Sequence, residues 1–416
     1  MRLENAIIFT VENSNAYYGK EKRKRRNLMQ IHRVAKGESV FGIARRYGVS
    51  PTSIIEVNGL ENPDVLAVGQ ELLILTPRRV YTARGGDTVG IIARRFNLKK
   101  EEIYAANPSL LCDERLYEGK ALSLGYGDTR LGMAASNGYV FAGCSEEAIL
   151  RSIPYLTYLT VASVAIRGSR VERLFNGQDA VKTARKYDKV PILRVFLDGC
   201  ADRYREGKAL SFELIELARE GGYSGLVLSV PDGDVDKRIY EEFILGLRKE
   251  MIGSGLILFT EAVCGRDYAY ADLADGCVLS CAQPSEDRAL QERRAFERYA
   301  EEAESSKTFM DVASFAVMGG EYADYQEAVK TAAKVGAEIK HDRGRGVCNY
   351  SYHSRGGREI SVEFESLENI KAKLELIGEL GYMGISFDVG RTPIAHLMAY
   401  SALFSGIGYT SIFGQA

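Results

Sequence analysis

With 416 residues, 46% of them hydrophobic and 26% charged, the chain is long enough for two or three domains and a sizeable core. A net charge of -2 argues against the overall basicity of a nucleic-acid or anionic-membrane binder. No apolar run approaches the roughly 18–20 residues that a membrane span needs.

At the N-terminus a short apolar stretch, Ala6 to Thr10, is followed almost at once by Glu12. A secretory signal needs a longer apolar stretch and then small residues, so synthesis in the cytoplasm without a signal peptide is expected. The seven scattered cysteines do not form the even framework of an oxidised secreted domain. Residues 1–28 end in the basic run Lys20 to Arg26. They read as an extension upstream of a start at Met29, or as a disordered arm.

An internal repeat comes next. Gly37-Glu38-Ser39-Val40 matches Gly86-Asp87-Thr88-Val89, Ile43-Ala44-Arg45-Arg46-Tyr47 matches Ile92-Ala93-Arg94-Arg95-Phe96, and Asn58 matches Asn107. Gly69 matches Gly119 after one inserted residue. Val40, Ile43, Ala44 and Tyr47 fall at i, i+3, i+4 and i+7, one face of a short helix, and Val89, Ile92, Ala93 and Phe96 repeat the spacing. Ser39 and Thr88 sit where an N-cap is wanted, Ser50-Pro51 opens a second helix, and Gly59 ends it. With β-like segments on either side, each copy is predicted to be a β-α-α-β unit, over 29–76 and 79–124.

Both copies resemble the LysM family in order and spacing. The resemblance implies binding of N-acetylglucosamine-containing glycans such as peptidoglycan or chitin, in a shallow groove between two loops. Carried onto this chain, the groove comprises Gly37, Glu38, Ser39, Val40, Asn58, Gly59 and Leu60 in the first copy. In the second it comprises Gly86, Asp87, Thr88, Val89, Asn107, Pro108 and Ser109. The plainer reading of these residue types is turn and cap chemistry. Two tethered modules on one polymer would gain avidity through effective concentration. The Gly-rich linker Gly125 to Ser136 predicts a flexible tether.

From 137 to 416 short β-rich runs alternate with amphipathic helices. The runs are Gly138–Gly143, Leu156–Ile166, Val190–Leu197, Tyr223–Val230, Gly255–Val263, Asp275–Ala282, Thr308–Ala316 and Tyr382–Val389, and the helices include Phe212–Glu220, Tyr240–Met251 and Leu367–Leu380. Eight such strands predict an α/β fold, a (β/α)8 TIM barrel, with an extra hairpin from Cys348 to Glu365 before the last strand.

Asn137-Gly138-Tyr139, Pro154 to Leu159, Tyr352 to Phe364, Ser366 to Lys373 and Gly384-Ile385-Ser386 resemble family 18 glycoside hydrolases. The likeness is greatest to the LysM-linked branch that cleaves spore-cortex peptidoglycan. The family's strand-four motif, Asp-x-x-Asp-x-Asp-x-Glu, supplies the acid and orients the substrate acetamide. Here Ser224, Val227, Ser229 and Pro231 occupy those positions, and none can deliver a proton as a carboxylic acid does. The family's Met-x-Tyr-Asp on strand six corresponds to Ser280-Cys281-Ala282-Gln283. Its strand-eight Trp is replaced in the stretch Phe387-Asp388, in a chain with no Trp at all.

The resulting expectation is a peptidoglycan-binding pseudoenzyme of the bacterial spore envelope or cell wall, without cofactor or metal, and with coat proteins as further partners. The alternative is an active glycan hydrolase with a relocated acid. Asp198, Asp232, Glu261 and Asp388, at predicted strand ends, are the candidates, and Asp232 is the best placed. Their plainer reading is solvated or capping loop carboxylates. His32, His341, His353 and His396 are scattered, Cys277 and Cys281 lack partners for a zinc site, and no Gly-x-Ser-x-Gly elbow is present.

Overall fold

A computed structural model describes residues 29–112, 116–126, 131–167, 170–197, 207–230, 237–264, 272–280, 288–312 and 314–406; the N-terminal extension 1–28 lies outside them. Strand β1 (Met29–Arg33) pairs antiparallel with β2 (Glu71–Leu75), and α1 (Val40–Tyr47) and α2 (Pro51–Asn58) lie between them in sequence. Ser39 Oγ accepts the Gly42 N–H at 3.2 Å to start α1, and Ser50 Oγ accepts the Ser53 N–H at 3.1 Å to start α2. Gly48 and Gly59 take the left-handed conformation that ends each helix. The inward faces meet as one small core of Val34, Val40, Ile43, Ala44, Ile54, Leu72 and Ile74.

The second repeat runs β3 (Val80–Thr82), α3 (Val89–Phe96), α4 (Lys100–Ala106) and β4 (Ala121–Ser123) around Ile92, Ala93, Ile103, Leu110, Leu122 and Leu124. Thr88 caps α3 as Ser39 caps α1, and Asn97, at φ 53°, stands where the first copy has Gly48.

The large domain begins with β5 (Gly132–Val140), α5 (Glu146–Ser152), β6 (Tyr158–Arg167) and β7 (Arg170–Arg173), then α6 (Gln178–Lys186), β8 (Val190–Leu197), α7 (Gly207–Glu220) and β9 (Gly225–Leu228). It continues with α8 (Lys237–Met251), β10 (Ile257–Val263), β11 (Gly276–Ser280), α9 (Arg288–Glu302) and β12 (Thr308–Asp311). After an insertion come α11 (Leu367–Leu380), β18 (Gly384–Asp388), α12 (Ile394–Leu403) and β19 (Phe404–Gly406). Strands β5, β6, β8, β9, β10, β11, β12 and β18 are parallel, and the pairing of β18 with β5 closes the eight-stranded barrel.

Alternate residues point inward, so Tyr158, Ile192, Val227, Phe259, Val278 and Phe309 fill the barrel as one apolar layer. Tyr158, Phe259 and Phe309 meet edge to face at centroid separations of 5.3, 5.7 and 5.8 Å. The barrel is a packed core with its mouth at the C-terminal strand ends.

The insertion is larger than the predicted hairpin. It comprises β13 (Ala316–Met318), β14 (Glu321–Tyr322), α10 (Tyr325–Val335), β15 (Lys340–Asp342), β16 (Val347–His353) and β17 (Glu359–Glu365), whose strands form an antiparallel sheet in the order β14-β13-β17-β16-β15.

The expected flexible tether, Gly125 to Ser136, lies in part outside the described residues, but the repeats that it joins to the barrel are packed against the barrel. Met29, Val57, Leu73 and Leu75 of the first repeat and Ala106 and Leu111 of the second share one continuous core with Ile394, Leu397 and Met398 of α12. Tyr126 is 6% exposed, its hydroxyl donates to the Ala106 carbonyl at 3.2 Å, and β5 already starts at Gly132. Apolar burial therefore holds the repeats on the barrel. Cys264, beyond the end of β10, is disulfide-bonded, whereas Cys112, Cys144, Cys277 and Cys348 are free thiols.

Candidate functional site

Strand β9 is the fourth of the barrel. Val227 lies in the apolar layer that fills the barrel. Ser229 Oγ accepts the Leu197 N–H at 2.9 Å, its carbonyl accepts the Tyr240 hydroxyl at 2.9 Å, and Ser224 Oγ accepts from Arg185 at 2.9 Å. These three side chains are committed to packing and hydrogen bonding. Pro231, Asp232 and Asp198 lie outside the described residues. Phe387 packs into the outer core, 1% exposed.

Glu261, near the end of β10, accepts Arg194 Nε at 2.6 Å on one oxygen and Arg194 Nη2 at 2.7 Å on the other. The Tyr139 hydroxyl adds a third donor at 2.8 Å. The Arg194 guanidinium lies 3.9 Å from the Phe196 ring centroid and 5.5 Å from that of Tyr139. Burial, then the Glu261 charge, pushes the Tyr139 phenol well up, so it stays a donor. Glu261 and Arg194 thus form a two-pronged ion pair near the strand ends, flanked by aromatic rings.

Asp388 caps its own turn. Its Oδ1 accepts the Gly390 N–H at 2.8 Å, its carbonyl accepts the Thr392 N–H at 2.9 Å, and Arg391 Nε lies 3.6 Å from Oδ2. Burial raises its carboxyl, against the pull of Gly390 and Arg391.

Asp311, the last residue of β12, is a mouth carboxyl that sequence reading missed. The sequence predicts one strand over Thr308–Ala316, with Asp311 in its middle, whereas β12 stops at Asp311 and β13 starts at Ala316. Burial pushes the Asp311 carboxyl up to about 6. The Ser280 hydroxyl, donating at 3.0 Å, and Lys373 oppose the shift, while the charges of Glu261 and Asp388 add to it. Asp311 therefore carries a proton over part of its population near neutral pH.

In the repeats, the acidic turn residues build matching networks. Glu38 accepts the Ala35 N–H at 2.9 Å, His32 Nε2 lies at 2.7 Å, and Arg46 donates at 2.9 Å. Asp87 accepts Tyr81 Oη at 2.5 Å, the Arg84 N–H at 2.9 Å and Arg95 at 3.1 Å. The Ala35 N–H holds Glu38 below the usual carboxylate range, and the Tyr81 hydroxyl does so for Asp87.

Asn58 donates to the Ile54 and Leu73 carbonyls, both at 2.9 Å, and accepts the Leu73 N–H at 2.7 Å. Asn107 makes the same three bonds to Ile103 and Ser123. Both asparagines are 5% exposed and tie helix to strand. Val40 is core and Val89 partly buried. Pro108 is buried, and Ser109 donates to Glu56 of the first repeat at 2.9 Å. Gly37, Ser39, Gly86 and Thr88 are exposed, and Gly59 and Leu60 are half-buried.

The two copies differ in what faces the loop before the last strand. In the first, Ala67 is buried with the insertion's core, Val68 O accepts the Ile339 N–H at 2.9 Å, and a Cβ on Gly69 would fall 2.1 Å from Ile339 O. In the second, Tyr117 is 62% exposed with Lys120 Nζ 5.7 Å from its ring centroid, and a Cβ on Gly119 would meet nothing within 4 Å. The insertion covers this loop of the first repeat, and the second repeat presents its loop and an aromatic face to solvent.

A family model, the LysM domain, matches residues 32–75 and 81–125. The chain is 44% identical over 82 residues to the sporulation-specific YdhD of Bacillus subtilis (strain 168), a match covering 20% of this chain and 19% of that protein. It is 39% identical over 54 residues to the cortical fragment-lytic enzyme of Bacillus anthracis, covering 13% of each. These matches thus span a fifth or less of the curated relatives.

Among solved structures, the spore cortex-lytic enzyme SleL of Bacillus megaterium QM B1551 superposes with a TM-score of 0.71 at 21% identity, over 92% of this chain and 99% of that one. A chitinase from Chromobacterium violaceum ATCC 12472 superposes with a TM-score of 0.54 at 16% identity, over 65% of this chain and 98% of that one. At these identities the likeness is one of fold. The chain carries two LysM domains on a closed eight-stranded barrel whose fold is like that of these cortex-lytic and chitinase structures. Its arrangement is that of the SleL fold.

Proposed function

We propose that this protein binds peptidoglycan in the bacterial spore envelope through its LysM domains, and that its barrel no longer performs family 18 hydrolysis. The observation that supports the second half is strand β9, where Val227 and Ser229, which the family resemblance puts at motif carboxylate positions, are used for packing and backbone bonding. The relatives' names, cortical fragment-lytic enzyme and spore cortex-lytic enzyme, support the spore setting. The open loop of the second domain, with Tyr117 at its edge, supports that domain as the principal glycan contact. Flat aromatic faces suit sugar rings.

Co-sedimentation with purified spore peptidoglycan tests the binding. Wild type is expected to pellet with the polymer, and Tyr117→Ala to remain in the supernatant with its melting temperature unchanged. A wild-type protein that stays soluble would remove the proposal. The second reading, a hydrolase with a relocated acid, is favoured by one observation, the Asp311 carboxyl pushed up to about 6 at the mouth.

A further inference from the structure

The first LysM domain meets the inserted sheet at three side chains with donor atoms. Glu71 opens β2, and His341 on β15 and Cys348 on β16 are cross-strand partners in register. One ligand atom from each lies within 4.8 Å of the others. His341 Nδ1 is 3.2 Å from Glu71 Oε1 and 3.4 Å from Cys348 Sγ, and Cys348 Sγ is 3.9 Å from Glu71 Oε2. Zinc bond lengths of roughly 2.0–2.1 Å to nitrogen and oxygen and 2.3 Å to sulfur give tetrahedral edges of about 3.3 Å for N···O and about 3.6 Å for N···S. The first two separations match those edges.

The protons point the same way. His341 Nε2 lies 2.8 Å from the Gly69 carbonyl, which can only accept, so Nε2 carries hydrogen and Nδ1 faces the cluster. A backbone carbonyl on the far ring nitrogen is the usual brace of a metal-ligating histidine. Glu71 Oε2 accepts the Leu367 N–H at 2.7 Å, whereas among the described residues no donor meets hydrogen-bond geometry at Oε1, on a side chain 1% exposed. Arg33 Nε approaches Oε1 at 3.5 Å, and its Nη2 is paired with Glu368 at 2.7 Å. His341 Nδ1 thus faces a carboxylate oxygen at 3.2 Å and a thiol at 3.4 Å, a cluster that a shared proton or a metal ion would hold together.

We propose that Glu71, His341 and Cys348 form a zinc site that clasps the first LysM domain to the inserted sheet. With three protein ligands, a water would complete the tetrahedron. Binding displaces the thiol proton of Cys348 to solvent, and the thiolate and Glu71 together neutralise the dication. Zinc suits this mixed set of sulfur, imidazole and carboxylate. The clasp fixes the direction in which the LysM pair is held relative to the barrel mouth.

The full chain, stripped with a chelator and kept reduced, is titrated with Co²⁺ and then Zn²⁺ while its absorption spectrum is followed. The expected result is one Co²⁺ per chain, with four-coordinate visible bands and a thiolate-to-cobalt charge-transfer band, all displaced by Zn²⁺. Cys348→Ser, close in size and expected to fold, should remove the charge-transfer band and weaken binding by about 100-fold or more, beyond the loss typical of a bracing residue. His341→Gln should weaken binding likewise and abolish the rise in melting temperature that Zn²⁺ gives wild type, whereas the exposed His353→Gln should change neither. A wild-type chain with no charge-transfer band, or a band that survives in Cys348→Ser, overturns the site.

Discussion

Replacing Glu261 with Gln separates a structural carboxylate from a catalytic one. The side chains of Glu261 and Arg194 are 15% and 13% exposed, and both Glu261 oxygens are engaged by the guanidinium. Gln keeps one acceptor but turns an NH₂ toward Arg194, leaving a largely buried cation without its counter-charge. Removing one partner of a buried pair costs about 3–5 kcal/mol, and the residual exposure of both side chains puts this case near the lower end. For a barrel of this size that corresponds to a fall in melting temperature of about 6–10 °C. Thermal unfolding of Glu261→Gln, Arg194→Met and the double variant provides the assay, and the double variant should lose less than the sum of the two. A Glu261→Gln protein that melts with wild type, or one that loses glycan cleavage without losing stability, would refute the structural assignment.

Asn58→Ala and Asn107→Ala should each destabilise their own LysM domain by about 2–3 kcal/mol, since a buried strand N–H and two carbonyls lose their partner. Amide hydrogen exchange in β2 and β4 measures this, and weaker glycan binding with unchanged exchange would make the asparagines ligand contacts instead. Gly69→Ala and Gly119→Ala share a positive φ, 82° and 92°. The second should cost about 1 kcal/mol from backbone strain alone. The first should cost about 3 kcal/mol or more, because its Cβ collides with Ile339 O; equal melting temperatures would show that the domain is not docked.

His396 is pushed down to about 4 by burial, against the pull of Glu365 and Glu71, with Lys373 adding to the fall. Ser314 Oγ lies 2.7 Å from its Nδ1, and the Tyr325 ring packs against it. Its folded value lies below its unfolded value, so its contribution is complete above about pH 6.5 and disappears as pH falls toward 4. That contribution is about 3 kcal/mol. Comparing the pH dependence of unfolding in wild type and His396→Asn should show a shallower slope between pH 6.5 and 4 in the variant; parallel curves would exclude the histidine.

The modules and the barrel were legible in the sequence because their signals are local. Val40, Ile43 and Ala44 repeat as Val89, Ile92 and Ala93 with caps in register, and β8 spans the predicted Val190–Leu197 residue for residue. The mouth was not legible. Glu261 reads as a free strand-end carboxylate until Arg194, 67 residues earlier, folds against it. Asp311 was hidden because a break between two short strands carries no Gly or Pro to mark it. Gly69 and Gly119 are the same residue in the same repeat position, and only the insertion packed on one of them distinguishes their surroundings. Glu71 and Cys348 are 277 residues apart, a distance no spacing rule spans.

The most direct test is to incubate the purified protein with spore-cortex peptidoglycan and analyse the soluble fraction by mass spectrometry for released muropeptides. A barrel without family 18 chemistry is expected to leave the polymer intact while the protein sediments with it. Released fragments that disappear in Asp311→Asn would contradict this and place a working acid at the end of the seventh barrel strand.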